Sequence, residues 1–257
     1  MGYFLFRKRK HHEFIQNQKA RQASLMQILN HSVEVLNGPF KGMKYPELNS
    51  VGSTLYPKLL GSYEMELHKQ VEDLISNNYS EIIDVGCAEG YYAVGMAMRC
   101  KTAHVYAFDI NEKARQQCKE MALLNGVDQR VFVKTEFTPE KLLNFKFSGK
   151  GLIICDCEGF EKTLFNTSNI SNLKNCDVLI ETHDLIDIEI STYLKDLFKN
   201  THNIISVYSK DDIQKALDAE FSELDKLNLN SKLEILKENR KAIMEWLICK
   251  PKTASIS

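Results

Sequence analysis

The chain has 257 residues, of which 44% are hydrophobic and 26% are charged, so it is expected to fold into one or two globular domains and not to be disordered. Lys and Arg number 33 against 34 Asp and Glu, and a net charge of -1 gives no overall attraction to nucleic acid or membranes. No apolar run approaches the ~18 residues of a transmembrane helix.

Residues 1–60 are predicted to form a helical and irregular extension. A basic run from Arg7 to His12 precedes an amphipathic helical pattern over residues 13–29. Prolines and glycines interrupt the chain after that pattern, which indicates an irregular connector. No secretory signal is expected, because the short apolar run Tyr3 to Phe6 precedes the basic residues. The apolar stripe of the helix is compatible with a homodimer.

The segment 61–257 is predicted to form one domain in which strands alternate with helices. Helices are expected around Leu67 to Ile75, over 91–98, from Asn111 to Leu124 and over 190–198, with a charged helical insertion at 211–241. Strands are predicted at 81–85, 104–108, 131–134, 152–155, 178–180, 204–208 and 244–249. This alternation predicts the α/β class: a doubly wound, seven-stranded, mostly parallel sheet of Rossmann-like type.

The seven cysteines are predicted to be reduced thiols. Their number is odd, no CxxC pair occurs, and most of them lie in apolar stretches of a chain too large to need disulfides. Cys155 and Cys157 would face one side of a strand, but two thiols do not make a zinc site. A cytoplasmic location is therefore expected.

The first predicted strand ends in the loop Asp84-Val-Gly86-Cys-Ala-Glu-Gly90. Ligands of such sheets bind beyond the carboxyl ends of the strands, and glycines let the backbone approach them closely. A nicotinamide-binding loop would read G-x-G-x-x-G, whereas here the spacing is G-x-x-x-G. The Asp84 carboxylate would repel a pyrophosphate and accept hydrogen bonds from an ammonium group. The loop thus favours a cofactor that carries an amino acid. It argues against the alternative that the protein is a nucleotide-dependent oxidoreductase.

Asp109 ends the second predicted strand, where a carboxylate can accept both hydroxyls of a ribose. The alternative role, a cap of the following helix, is better filled by Asn111. The pattern Asp84-x-Gly86-x-x-x-Gly90 with strand-end Asp109 resembles the class I methyltransferases that use S-adenosylmethionine (SAM).

That resemblance implies a binding site for SAM. Asp84 and the loop residues would lie along its methionine and ribose, Asp109 would bind the ribose, and Ile110 would pack on the adenine. Glu136 follows the third strand, where this family often binds the adenine amino group, although Thr135 or Phe137 could occupy the same place. The residues implied to bind the cofactor are Tyr63, Asp84, Gly86, Cys87, Ala88, Gly90, Asp109, Ile110 and Glu136.

A segment after the fourth strand resembles one particular type of methyltransferase. Asp156-Cys-Glu158-Gly159-Phe-Glu161 resembles the D-x-E-G-x-E segment of the FkbM-type methyltransferases. Tyr63-Glu64, Gly90-Tyr-Tyr92 and Ile180-Glu-Thr-His183 resemble the same family, and the resemblance covers about residues 60–210. It implies O-methylation of a carbohydrate or of a related polysaccharide or natural-product hydroxyl.

Acidic side chains and one imidazole are expected to meet at adjacent strand ends. Methyl transfer to a hydroxyl requires removal of its proton, and an imidazole of ordinary pKa suits a general base. The predicted catalytic residues are Asp156, Glu158, Glu181 and His183, while Glu161 either contributes to the site or only begins a helix. The same groups could hold Mg²⁺ or Mn²⁺, but no established metal motif is present.

The sequence therefore predicts a cytoplasmic SAM-dependent O-methyltransferase with a small-molecule or glycan acceptor. The alternative is an inactive methyltransferase fold that serves as a scaffold, with residues 1–60 or 211–241 engaging a partner such as a glycosyltransferase. Nucleic acid is not an expected partner, because basic and aromatic residues are not interleaved on one face.

Overall fold

A computed structural model of the protein describes residues 16–252 and contains one seven-stranded sheet of order β3-β2-β1-β4-β5-β7-β6. The last strand, β7, runs antiparallel to both of its neighbours, and the other pairs are parallel. The strands are β1 (Glu81–Val85), β2 (His104–Phe108), β3 (Val131–Lys134), β4 (Gly151–Cys155), β5 (Cys176–Thr182), β6 (His202–Tyr208) and β7 (Glu245–Pro251). The predicted doubly wound sheet is confirmed.

Helices cover both faces of the sheet. The α-helices are α1 (residues 16–28), α2 (Leu55–Leu60), α3 (His68–Ile75), α4 (Tyr91–Arg99), α5 (Glu112–Leu124), α6 (Pro139–Asn144), α7 (Glu161–Leu164), α8 (Ile190–Phe198), α9 (Asp212–Asp218) and α10 (Leu229–Leu236). None of those within residues 16–252 combines the length and apolar character needed to cross a bilayer.

The central strands are apolar throughout because both faces of the sheet are covered. All residues of β1, β4 and β5 are buried, and the neighbours Ile82 and Ile83 point into separate apolar clusters on opposite faces. Residues 25–45 contribute Leu25, Phe40 and Tyr45 to the same cluster as Ile82. Residues 25–45 thus belong to the apolar core on one face of the sheet, where Phe40 packs against Tyr91 and Tyr92 of α4.

The strand order reverses between β1 and β4, and this is where such sheets bind ligands. Val85 at the end of β1 pairs with Phe108 of β2 and Cys155 of β4, and Cys155 in turn pairs with Ile180 of β5. The carboxyl ends of β1, β2 and β4 are therefore level and β5 extends two residues further, so the loops that follow these strands leave the same edge of the sheet.

Several predicted boundaries were wrong. β5 begins at Cys176 and ends at Thr182, so it is longer than the predicted 178–180. The 211–241 segment, predicted to be helical, contains two short α-helices around a 3-10 turn, Ser222–Leu224. The predicted connector after residue 30 contains α2. The basic run from Arg7 to His12 lies outside the described residues.

Candidate active site

The loop after β1 is shaped by close contact with the end of β4. Gly86 and Gly90 have φ values of +84° and +99°, and Ala88 shares this left-handed region with a φ of 48°. A Cβ atom on Gly86 would lie 1.7 Å from the backbone oxygen of Asp156. Only glycine fits at that position, because both its conformation and its surroundings exclude a side chain.

Asp109 organises the loop from the end of β2. Its Oδ2 accepts a hydrogen bond from the Ala88 amide at 2.9 Å, and its Oδ1 accepts one from the Asn111 amide at 2.7 Å. Asn111 caps α5 as predicted, since its side chain accepts from the amides of Lys113 and Ala114. The structure thus places Asp109 beside the glycine loop.

Asp84 is a buried carboxylate that is only partly satisfied. Its Oδ2 is buried and forms no hydrogen bond with the described residues. Burial, followed by the nearby charge of Asp156, raises the pKa of Asp84 to about 8. A cationic group such as an ammonium would satisfy this oxygen.

Tyr63 and Cys87 are both buried and belong to the same apolar cluster. The Tyr63 ring packs edge-on against Tyr91, with 5.2 Å between centroids, and Lys58 Nζ lies 4.8 Å from the Tyr63 centroid. A hydrogen bond with Cys118, and then burial, raise the pKa of the Cys87 thiol. The Cys87 side chain is thus an inert part of the core next to the loop.

Ile110 and Glu136, the two residues expected at the adenine, are both exposed. Ile110 is 84% exposed and directly follows Asp109. Phe137, the neighbour of Glu136, is instead buried against Phe108, with 4.7 Å between their ring centroids. Phe137, one of the two alternatives to Glu136 for contact with the adenine, is therefore part of the apolar core.

His183 is the centre of the acidic cluster at the ends of β4 and β5. Its Nδ1 lies 2.7 Å from Oε1 of Glu161, which is fully buried. Its Nε2 lies 3.5 Å from both Oδ1 of Asp156 and Oε2 of Glu158. Glu158 adopts a left-handed φ of 54° and is followed by Gly159 at 99°, and this turn brings the carboxylates of Asp156 and Glu158 to the same imidazole.

The pKa values of His183 and Asp156 depend on their neighbours in the acidic cluster. Burial alone would lower the pKa of His183, but the hydrogen bond to Glu161 and the charges of Asp156 and Glu181 raise it to about 9. Burial raises the pKa of Asp156 to about 6, against the opposing charge of His183. At neutral pH the cluster therefore holds an imidazolium next to the Glu161 and Asp156 carboxylates.

The cluster also has the donor set of a cation site. One atom each of Asp156, Glu158 and His183 lies within 4.8 Å of the others. His183 is only 6% exposed, and its second nitrogen is held by Glu161, the arrangement of many metal-bound histidines. These donors fit a hard or borderline divalent ion.

Glu181 lies apart from the His183 contacts, in a buried ion pair that the sequence analysis missed. Its Oε1 accepts a hydrogen bond from Nη1 of Arg240 at 2.5 Å, and Nη2 of Arg240 donates to Glu64 at 2.7 Å. The family resemblance already singled out Glu64, as part of Tyr63-Glu64. No sequence signal indicated that Arg240 would contact Glu181, which lies 59 residues earlier in the chain.

Comparison with known proteins gives the family. Residues 76–245 match the family described as "Methyltransferase domain". The chain belongs to this methyltransferase family. Its cofactor is SAM, as predicted, and the match includes the glycine loop, the acidic cluster and Arg240. The FkbM type is a finer assignment than this match provides.

Solved structures of low similarity include other methyltransferases. One is a putative O-methyltransferase from Klebsiella pneumoniae, with 11% identity, a TM-score of 0.46, and coverage of 74% of this chain and 81% of that one. Another is a putative tRNA methyltransferase from Streptococcus pneumoniae bound to SAM, with 12% identity, a TM-score of 0.43, and coverage of 74% and 73%. No curated protein sequence matches this chain.

Proposed function

We propose that this methyltransferase is an FkbM-type O-methyltransferase whose acceptor is a hydroxyl of a carbohydrate or of a related polysaccharide or natural product. The observation that carries the proposal is the Asp156–His183–Glu161 arrangement at the ends of β4 and β5. A hydroxyl must lose a proton when it is methylated, and this cluster supplies carboxylate and imidazole groups for that proton.

The residues of the glycine loop would bind the cofactor. Asp84 would accept hydrogen bonds from its ammonium group, directly or through water, and Asp109 from its ribose, while Ile110 packs on the adenine and Glu136 lies near its amino group. Gly86, Cys87, Ala88, Gly90 and Tyr63 shape the surrounding walls. SAM, when bound, supplies an electrophilic methyl group whose C–S bond breaks as the new C–O bond forms.

Asp156 is the proposed first proton acceptor. Its Oδ1 is buried and forms no hydrogen bond within residues 16–252, and the pKa of Asp156, about 6, leaves the carboxyl mostly ionised at neutral pH. His183, held at Nδ1 by Glu161, would orient the acceptor hydroxyl and stabilise the charge on Asp156. Glu158, which is exposed, would contact the acceptor. Glu181, paired with Arg240, would be a further member of the catalytic group.

Binding of S-adenosylhomocysteine to the full chain tests the cofactor half of the proposal. We expect micromolar affinity in calorimetry, about -8 kcal/mol, and no binding of NADH. Asp109→Ala should weaken the affinity roughly 10- to 100-fold, because two hydrogen bonds to a charged group are lost. Asp128→Ala on the surface is the control. Unchanged affinity in Asp109→Ala would contradict the site assignment.

Transfer of labelled methyl from SAM to sugars and nucleotide sugars tests the acceptor half. We expect His183→Gln to lower kcat about 100-fold or more with little change in the affinity for S-adenosylhomocysteine. Glu189→Gln, in an exposed loop next to the cluster, is the control. Cofactor binding without transfer to any hydroxyl compound would favour the scaffold alternative, and a pull-down with and without residues 1–60 or 211–241 would then identify its partner.

As an alternative state of the same cluster, we propose that Asp156, Glu158 and His183 bind a divalent cation in place of the proton on His183. A cation there would lower the pKa of a coordinated hydroxyl and would displace the proton from His183. Calorimetry with Mn²⁺ tests this point: we expect binding that strengthens with pH and is lost in Glu158→Gln. Exposed Glu136→Gln should bind Mn²⁺ like the unaltered protein. Equal binding by all three proteins would place the ion elsewhere.

We also propose a cytoplasmic location and a homodimer. All seven cysteines are free, which fits a reducing compartment. Light scattering of the full chain tests the dimer, and a monomer across the micromolar range would contradict it.

A further inference from the structure

A buried carboxylate of the glycine loop is bound by a segment of the chain that precedes β1. The Glu89 side chain is only 2% exposed, and its Oε1 lies 2.5 Å from Nζ of Lys58 and accepts a hydrogen bond from Oγ of Ser50 at 2.8 Å. Its Oε2 accepts a hydrogen bond from the Val51 amide at 3.2 Å. Three residues from one stretch of chain, 50–58, therefore hold this single side chain of the loop.

Lys58 is buried as deeply as its partner. Its side chain is 3% exposed, and Nζ lies 4.8 Å from the centroid of the Tyr63 ring and 5.3 Å from that of Tyr91. The faces of aromatic rings attract a cation, and Tyr91 is the first residue of α4, directly after Gly90. Lys58 thus lies against both the loop side chain and the helix that follows the loop.

The Glu89 carboxyl is ionised in this setting. Burial alone would raise its pKa, but the charge of Lys58 and the hydrogen bonds from Lys58 and Ser50 bring the pKa below its ordinary value. The contact is therefore a buried ion pair, with further hydrogen bonds to the carboxylate.

Two consecutive residues of the glycine loop are held from other parts of the chain. The Ala88 amide donates to Asp109, and the next side chain, Glu89, is held by residues 50–58. Ala88 has a φ of 48°, and a residue other than glycine keeps such a conformation only where its surroundings enforce it. A shift of Glu89 would pass directly along the backbone to Ala88 and Gly90.

We propose that Lys58 and Glu89 are positioning residues for the cofactor: their buried ion pair holds the Gly86–Gly90 loop in the conformation that binds SAM. The matched methyltransferase domain begins at residue 76, so this inference makes part of the preceding extension a component of the cofactor site. It rests on the proposed placement of SAM along the glycine loop.

The pair differs from a surface ion pair because neither partner reaches water. Removing one partner leaves the other charge uncompensated in an apolar environment. Without the Lys58 ammonium, the Glu89 carboxylate must take up a proton or move toward water, and its movement would displace the loop backbone. A pair that only stabilised the fold would instead lower stability and leave the cofactor affinity of the folded protein unchanged.

The test is calorimetry of S-adenosylhomocysteine binding to full-length variants. Lys58→Met and Glu89→Gln should each weaken the affinity about 10-fold or more, because the loop is no longer held. In the double variant the loss should be clearly smaller than the product of the two single losses, because no uncompensated charge remains. Unchanged affinity in either single variant, or a double-variant loss equal to that product, would overturn the proposal. If Lys58→Met does not fold, the nearly isosteric Glu89→Gln decides alone in the same way.

Lys150→Met is the matched control. Nζ of Lys150 lies 2.7 Å from Oδ2 of Asp177, whose side chain is 1% exposed. This pair lies at the amino ends of β4 and β5, on the edge of the sheet opposite the glycine loop. Its loss should lower the thermal midpoint without changing the affinity for S-adenosylhomocysteine. Equal weakening by Lys150→Met and Lys58→Met would show that affinity follows stability alone, and would overturn the proposal.

Hydrogen exchange examines the loop without any ligand. Mass spectrometry of peptides covering residues 84–92 should show exchange about 10-fold faster or more in Lys58→Met than in the unaltered protein. Lys150→Met should leave exchange in these peptides unchanged. Equal exchange in Lys58→Met and in the unaltered protein would overturn the inference that the pair holds the loop.

The outcomes separate this inference from the proposed function. If Asp109→Ala weakens binding of S-adenosylhomocysteine but Lys58→Met and Glu89→Gln do not, only the role of the pair is wrong. If the unaltered chain does not bind it, or Asp109→Ala binds it equally well, the proposed cofactor placement is wrong, and loop exchange still decides whether Lys58 holds the loop.

Kinetics give a further readout once a methylated acceptor is in hand. Glu89→Gln should raise the KM for SAM about 10-fold or more while kcat changes less than about 3-fold, because the loop binds the cofactor and does not take part in proton removal. A fall in kcat with an unchanged KM for SAM would overturn a role in positioning the cofactor.

Discussion

The glycine loop after β1 and the acidic cluster at the ends of β4 and β5 lie side by side but are built in different ways. The loop and Asp109 depend on backbone conformation and on a close approach of two chain segments. The cluster depends on charges brought from strand ends, a buried helix start and the region before β7. The first region should therefore be sensitive to side-chain volume, and the second to charge at constant volume.

The largest effect is expected for Gly86→Ala. The added Cβ would clash with the Asp156 carbonyl, which lies 1.7 Å away, and the positive φ would be strained as well. We expect loss of measurable S-adenosylhomocysteine binding in calorimetry, or loss of folding in a thermal melt. Gly126→Ala is the control, because its φ is +66° but nothing lies within 4 Å of its Cβ position. Equal, mild effects of the two variants would show that close packing is not what restricts the loop.

Glu161→Gln changes the charge of the side chain at nearly constant volume, and we expect it to have the second-largest effect. Loss of the negative charge beside Nδ1 would lower the pKa of His183 from about 9. We expect kcat for methyl transfer to fall about 10- to 100-fold, with unchanged affinity for S-adenosylhomocysteine. Glu189→Gln should leave both values unaltered. A selective loss of cofactor affinity in Glu161→Gln would remove the distinction between the two regions.

Asp84→Asn should produce a pH-dependent effect. The pKa of Asp84 is about 8, so its carboxyl is mostly protonated at pH 7, and an incoming ammonium group must drive off that proton. The affinity for S-adenosylhomocysteine should rise with pH, by at most about 10-fold per unit, up to pH 8. Calorimetry in Asp84→Asn should show weaker binding without this rise. If the affinity still rises with pH in Asp84→Asn, another titratable group causes the rise.

The same carboxyl destabilises the unliganded fold. Because its folded pKa lies above its unfolded value, the folded state binds more protons between about pH 4 and 8, and stability falls as pH rises through that range. Urea unfolding of Asp84→Asn should therefore show a gain in unfolding free energy that grows from pH 5 to pH 8.

Glu136→Gln should have the smallest effect. The Glu136 side chain is exposed beyond β3, and an exposed contact to an adenine amino group contributes little. We expect less than a 3-fold change in S-adenosylhomocysteine affinity, measured alongside Asp109→Ala. A larger change would extend the cofactor site to the end of β3.

Local features of the fold were predictable because neighbouring residues produce them. The β1 strand, the turn at Gly86 and the cap at Asn111 follow from apolar runs, glycine conformation and side-chain capping within a few residues. β5 was predicted too short, because Cys176 and Asp177 do not form an obvious apolar run. The short α2 was hidden by the surrounding prolines and glycines.

The sequence by itself determined the sheet, the methyltransferase family and the residues at the ends of the strands, because alternating patterns and short motifs encode strand ends directly. Only the tertiary structure decided which of those residues meet. It places His183 against Glu161 and Glu181 against Arg240, and it leaves one oxygen of Asp84 without a hydrogen bond among the described residues. The physical reason is that burial and distance fix the charge of an ionisable group, and both arise from contacts between segments far apart in the chain.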